Sequence, residues 1–201
     1  DPRLDYVFAL AKATMLQYFM KPERGWAEFE KAEKALAENF PDKVPPSEHF
    51  ELKGMLLYDL GQKDEGFEVL ERALAADPED VGLKNVIAYM LALEGRDLDR
   101  ALDLIDSVMN VEPDEPAFLD TLGWVLYKRG DYAGATSSMM KAVANANDWH
   151  HEPYDHIGDI FAATGGVTAG VPWWIKSYQI FPNEKVGAKL RNAGVDPDSV
   201  K

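Results

Sequence analysis

One short stretch of the chain contains histidine and aspartate residues that could bind a divalent cation. His151 comes just before a predicted helix on which Asp155 and Asp159 lie four residues apart, on one face. Imidazole and carboxylate groups are common ligands of Zn²⁺, so a metal-dependent enzyme is one hypothesis. The sequence has no cysteine and no HExxH pattern. The pattern therefore favours a structural interpretation, in which His156 belongs to an apolar packing motif and no metal is bound.

Two other catalytic patterns are incomplete. Gly165–Gly170 is similar to half of a phosphate-binding loop, but Val171 and Pro172 follow it where Lys and Ser or Thr are needed. Ser137 and Ser138 lie within a predicted helix and lack the surroundings of a nucleophile elbow. The sequence therefore predicts no catalytic residue and no cofactor, and we expect the protein not to be an enzyme.

The composition limits the class of protein and of partner. Of 201 residues, 46% are apolar and 11% aromatic, which is enough for a packed core. The net charge of −14 disfavours nucleic acid as a partner and favours a basic or apolar protein segment. No run of about 20 apolar residues is present to span a membrane. The sequence begins at Asp1 without an initiator Met, so we expect any targeting signal to lie outside it.

Small residues recur along the chain with a constant period. Four of them are 34, 35 and 35 residues apart: Gly54, Ala88, Gly123 and Gly158. A glycine follows each after seven residues: Gly61, Gly95, Gly130 and Gly165. A second small residue comes five or six residues later: Gly66, Ala101, Ala135 and Gly170. A period of about 34 residues is typical of stacked helical hairpins, whose helices approach closely where small residues face each other. We expect contacts such as Gly54 with Gly66.

The segment Leu122–Ala135, LGWVLYKRGDYAGA, resembles the tetratricopeptide repeat (TPR). The resemblance implies an all-α superhelix of antiparallel helix pairs forming one solenoid domain. It places a degenerate helix pair at 1–41, four repeats within 47–182 (47–80, 81–115, 116–149 and 150–182) and a C-terminal capping helix at 183–194. Two departures are an extra residue between Gly95 and Ala101, expected to bulge that turn, and Asn147 where proline is usual.

The resemblance also implies which residues line the concave face, since the first helix of each repeat contributes to it. The candidate protein-binding residues at the corresponding positions are Glu51, Met55, Tyr58, Asn85, Tyr89, Asp120, Trp124, Tyr127, Asp155 and Asp159. Aromatic side chains suit a binding surface because they bury much area at little entropic cost. The carboxylates favour a basic partner and oppose capture of a C-terminal carboxylate. The leading hypothesis is a non-catalytic scaffold or adaptor that binds a peptide or protein segment.

A second resemblance, to a narrower group of repeat proteins, concerns the cellular location. The phrases Leu119–Tyr127 and His156–Asp159 are similar to those of many bacterial repeat proteins. This resemblance implies a periplasmic or outer-membrane-tethered lipoprotein of a Gram-negative bacterium, whose partner is a periplasmic protease or an envelope complex. A cytoplasmic location stays an alternative. A structural or self-associating module in an envelope complex is the second functional hypothesis.

Overall fold

A computed structural model describes residues 1–146 and 150–200. This part of the chain contains eleven α-helices, one 3₁₀ helix and no β-strand, which confirms the all-α prediction. The helices are α1 (Pro2–Tyr18), α2 (Pro22–Asn39), α3 (Ser47–Asp59), α4 (Lys63–Ala76), α5 (Val81–Glu94), α6 (Leu98–Met109), α7 (Pro116–Arg129), α8 (Tyr132–Asn145), α9 (Glu152–Gly165), α10 (Val167–Ile180) and α11 (Glu184–Asn192), followed by the 3₁₀ helix Pro197–Val200.

The helices form two compact units, Asp1–Ile87 and Ala88–Lys201, with the division inside α5. In the first unit, α1 packs on α2, both contact α3, and α3 pairs with α4. In the second unit, α7 pairs with α8 and α9 with α10, and α6–α7 and α8–α9 contacts join successive helices. Helix α11 and the 3₁₀ helix pack on α10. Within the described residues, no helix is long and apolar enough to cross a membrane.

Small residues let the paired helices approach, as the spacing predicts. A Cβ atom added to Gly66 would lie 2.7 Å from the carbonyl oxygen of Gly54. One added to Gly170 would lie 2.4 Å from the carbonyl oxygen of Gly158. Because such approaches leave no room for a side chain, both predicted contacts are confirmed.

The turn with the extra residue differs from the turns at Gly61 and Gly130. Gly61 and Gly130 each provide one left-handed residue, with φ of +84°. In the longer turn, Gly95 (φ +63°) is followed by a second left-handed residue, Asp97 (φ +45°). The insertion is therefore absorbed by backbone that non-glycine residues rarely adopt. Asn147, the other expected departure, lies outside the described residues.

Helix α7 carries three of the second unit's six candidate residues, and its ends are well defined by sequence. Pro116 begins the helix, where its missing N–H costs nothing. Lys128 and Arg129 lie in the last turn, where positive charge favours the helix dipole. Gly130 ends the helix in a left-handed conformation. One side of α7 packs in a core that includes Leu119.

Candidate binding face

The candidate residues of the second unit lie on three of its helices. Asp120, Trp124 and Tyr127 follow one another at helical spacing on α7, while Asp155 and Asp159 lie on α9. Tyr89 lies on α5. Asp120, Trp124 and Asp155 are buried, with 8%, 7% and 3% of their surface exposed. The predicted positions therefore lie deeper than the sequence suggests, and whether a partner reaches them stays a prediction.

Asp120 forms a buried ion pair with His156 of α9. Both carboxylate oxygens lie 2.9 Å from Nδ1 of His156, whose side chain is almost fully buried. Burial by itself would lower the pKa of His156, but the Asp120 carboxylate outweighs it and raises this pKa above its ordinary value. The pair therefore neutralises the first carboxylate of the predicted acidic surface.

Trp124 lies between aromatic rings and leaves one polar atom unsatisfied. Its ring centroid is 4.4 Å from that of His156, in a stacked arrangement, and 5.0 Å from that of Tyr127. The Lys128 ammonium lies 5.2 Å from the Trp124 ring centroid. The buried Nε1–H of Trp124 has no acceptor among the described residues. An unsatisfied buried donor of this kind costs about 1–3 kcal/mol of stability.

The other two carboxylates of the second unit pair with lysines of α11. Asp155 lies 3.0 Å from the Lys185 ammonium and 2.5 Å from that of Lys189. Asp159 lies 2.6 Å from Lys189 and accepts a 3.0 Å hydrogen bond from Nε1–H of Trp174. Burial would raise the pKa of Asp155, but the two lysines outweigh it and lower this pKa. The capping helix thus supplies the basic partner that these carboxylates require.

These pairs bear on the cation-binding hypothesis. His151, Asp155 and Asp159 are the residues it would use, but Asp155 and Asp159 contact lysine ammonium groups, and the His151 ring packs on Phe181 at 4.9 Å. In the part of the chain that the structure describes, no group of three or more His, Asp or Glu residues could hold a metal ion.

In the first unit, Glu51 of α3 has a different environment. Its carboxylate lies against Gly82, so closely that a Cβ on Gly82 would be 2.2 Å from Oε1 of Glu51. Burial, with the nearby Asp80 and Glu48 carboxylates, raises the pKa of Glu51 to about 7. Within residues 1–146 and 150–200, no cation forms an ion pair with Glu51. Glu51 is therefore a half-buried carboxylate without a compensating charge.

The remaining candidates are half-buried. In the first unit, these are Met55, Tyr58 and Asn85, and the Lys63 ammonium lies 4.9 Å from the Tyr58 ring centroid. The buried Oδ1 atom of Asn85 accepts no hydrogen bond from the described residues. In the second unit, the Tyr89 ring lies 6.1 Å from that of His156.

The partners of the candidate carboxylates are not predicted from the sequence. The repeat pattern assigns His156 only to a packing motif and α11 only to an apolar cap. A signal was available for α11, since Lys185 and Lys189 have the same four-residue spacing as Asp155 and Asp159. Both pairs repeat on one side of a helix, which makes them complementary.

Comparison with known proteins shows which fold the chain has. No protein-family model matches the chain. The crystal structure of TTC0263, a thermophilic TPR protein of Thermus thermophilus, matches with a TM-score of 0.73 over 94% of this chain and 98% of that chain, at 18% identity. The chain has the tetratricopeptide-repeat fold. This TPR fold is also similar to MamA (41-end) of Desulfovibrio magneticus RS-1, with a TM-score of 0.53 at 14% identity, over 88% of this chain and 94% of that one.

A curated relative carries the same repeat type. TPR repeat-containing protein PA4667 of Pseudomonas aeruginosa is 31% identical over 101 residues. The match covers 50% of this chain but only 16% of that protein. The TPR resemblance drawn from the repeat spacing is thereby confirmed, while the activity of the whole relative does not transfer to this chain.

Proposed function

We propose that this TPR-fold chain is a non-catalytic scaffold that binds a segment of a partner protein, and that a basic group of that segment pairs with Glu51. Stacked helical repeats offer extended surfaces suited to protein segments.

The uncompensated charge of Glu51 is the observation that carries the proposal. In the second unit, Asp120, Asp155 and Asp159 each have a cationic partner from the chain itself. Glu51, which has in the first repeat the position of Asp120 and Asp155, has instead two acidic neighbours and a pKa raised to about 7. A lysine, arginine or amino-terminal group of a partner would supply the missing charge and lower that pKa.

Tyr127 supports the same function in the second unit. It lies beside the buried Trp124, with the two ring centroids 5.0 Å apart. Its half-buried ring offers apolar contact area to a bound segment. The proposed segment therefore contains apolar residues as well as a basic one.

Synthetic peptides test the proposal directly. Fluorescein-labelled ten-residue peptides that alternate Leu with Lys would be compared with peptides that alternate Leu with Glu. We expect only the lysine peptides to bind, and we expect Glu51→Gln to weaken that binding by about three- to tenfold. Glu65→Gln is the matched control, because Glu65 is exposed on α4. Equal affinity of wild type and Glu51→Gln for the lysine peptides would contradict the role given to Glu51.

A location in the cell envelope, periplasmic or tethered to the outer membrane, belongs to the proposal as well. It rests on the resemblance of the α7 and α9 phrases to exported bacterial repeat proteins. Fractionation of the source cells, followed by antibody detection, tests it: recovery with the periplasmic or outer-membrane fraction is expected, and recovery with the cytoplasm would contradict it.

A further inference from the structure

Helix α1 of the first unit presents an apolar stripe to solvent. Its large members are Leu4 (51% exposed), Val7 (54%), Phe8 (67%) and Met15 (59%). Ala11 lies between them and is also exposed. We call these five residues the α1 stripe. Their spacing places them on one side of the helix. Such a stripe on a folded protein marks a surface that another molecule covers.

The opposite side of α1 is already buried. Ala13 is inaccessible to solvent and packs with Phe29 and Leu56, and Leu10 packs against the same cluster. Helix α1 is therefore apolar on both sides. A helix with this pattern is normally covered all round. In the first unit, α2 and α3 cover only one side of α1, and the stripe lies on the other side, in contact with no helix of this unit.

Leu4, Phe8, Ala11 and Met15 are symmetric about a point between Ala9 and Leu10, whereas Val7 would lie level with Lys12 of a second copy. An antiparallel copy of α1 centred there would place Phe8 against Ala11 of the second copy. It would also place Leu4 against Met15 of the second copy. The large ring of Phe8 would face the small Ala11 twice, as close helix packing requires. A two-fold axis thus makes the stripe complementary to itself.

The charged residues beside the stripe would also pair favourably in the antiparallel arrangement. Asp5 and Lys12 are seven residues apart, on the same flank of α1. In the antiparallel arrangement, Asp5 of one copy lies about 3 Å along the axis from Lys12 of the other. The Lys12 ammonium bonds Glu28 at 2.8 Å and remains 59% exposed, so it retains donors for a second carboxylate. Two such ion pairs would flank the interface.

The available area also suits a dimer. From their exposed fractions, the stripe residues form an apolar patch on the order of several hundred Å² per copy, a size that marks an interaction site. A specific interface buries at least about 1,000 Å² in total, so the residues beside the stripe must contribute to it as well.

We propose that two copies of this chain associate through α1, packed antiparallel about a two-fold axis with Phe8 of each copy on Ala11 of the other. The interface leaves Glu51 and the other candidate residues uninvolved, so it is independent of the proposed function.

Multi-angle light scattering across a concentration series tests the association. We expect the wild-type mass to rise to twice that of one chain. Phe8→Glu should raise the dissociation constant by a factor on the order of ten or more, while circular dichroism stays unchanged because Phe8 is exposed. Val44→Glu is the control, since Val44 is 86% exposed outside α1. A monomeric wild type at all concentrations, or a dimer unaffected by Phe8→Glu, would overturn the proposal.

Cross-linking tests the register. The chain contains no cysteine, so Leu4→Cys and Met15→Cys chains can be prepared separately and mixed under mild oxidation. We expect a disulfide-linked dimer in the mixture and little in either variant alone. Cross-linking of Leu4→Cys chains to one another as fast as in the mixture would indicate a parallel arrangement and contradict the one proposed.

Discussion

The first-helix carboxylates of the two units have opposite environments. In the second unit, Asp120 pairs with His156, and Asp155 pairs with Lys185 and Lys189. In the first unit, Glu51 lies among other carboxylates, without a cation from the described residues. Carboxylates at this position of the repeat therefore form stabilising ion pairs in the second unit, whereas in the first unit the carboxylate has no counter-charge. Sequence similarity between repeats does not by itself assign them the same role.

Breaking the Asp120–His156 pair should give the largest effect. Asp120→Asn leaves a buried histidine without its counter-charge, so we expect the free energy of unfolding to fall by about 3 kcal/mol. Urea denaturation followed by circular dichroism measures it. Glu65→Gln, an exposed control on α4, should change it by less than about 0.5 kcal/mol. A similar small change for Asp120→Asn would show that the pair contributes little.

The same pair should make stability depend on pH. Because the folded state raises the pKa of His156, its contribution is fully present below the unfolded value of about 6.5. It is lost as the pH rises through the folded pKa. The difference in unfolding free energy between wild type and Asp120→Asn should therefore be larger at pH 5.5 than at pH 9. A difference that grows with pH would contradict the assigned charge of His156.

Removing the lysine of the capping helix should make the second unit resemble the first. Lys189→Met leaves Asp155 and Asp159 with one cation fewer. We expect a loss of about 1–2 kcal/mol, since Lys185 still pairs with Asp155. The pKa of Asp155 should rise at the same time, which carboxyl NMR titration can follow. Lys141→Met, on an exposed position of α8, is the control.

Glu51→Gln should change stability in the opposite direction from the other two variants. The raised pKa means that the folded state favours the protonated carboxyl, so wild-type stability should decline between about pH 4.5 and pH 7. The variant lacks this decline. We expect it to match the wild type near pH 4.5 and to exceed it by about 1–3 kcal/mol at pH 8. Denaturation at the two pH values compares them, and a less stable variant at pH 8 would show that the carboxylate is compensated.

The sequence contained enough information for the fold but not for the environment of the candidate residues. The period of small residues predicts helix pairs because a close approach, such as that of Gly54 and Gly66, needs them at fixed spacing. A residue's position in the repeat places it on a helix. Its partners come from further along the chain, as with His156 for Asp120 and Lys189 for Asp155, 36 and 34 residues away.

For the N-terminal helices too, the sequence predicts the helices but not which of their sides is covered. The sequence predicts a degenerate helix pair within 1–41, and the structure has α1 and α2 there. The apolar residues of α1 occupy more than one side of the helix, so periodicity alone does not tell which side is covered. Only the packing of Ala13 and Leu10 against Phe29 identifies Leu4, Phe8 and Met15 as the outer side.

NMR titration of the Glu51 side-chain carboxyl, with and without the alternating Leu–Lys peptide, tests whether Glu51 lacks a counter-charge that a basic ligand supplies. We expect a pKa of about 7 in the free protein and a lower pKa with the peptide bound, as a basic group approaches. An ordinary acidic pKa in the free protein, or a raised pKa that the bound peptide leaves unchanged, would contradict it.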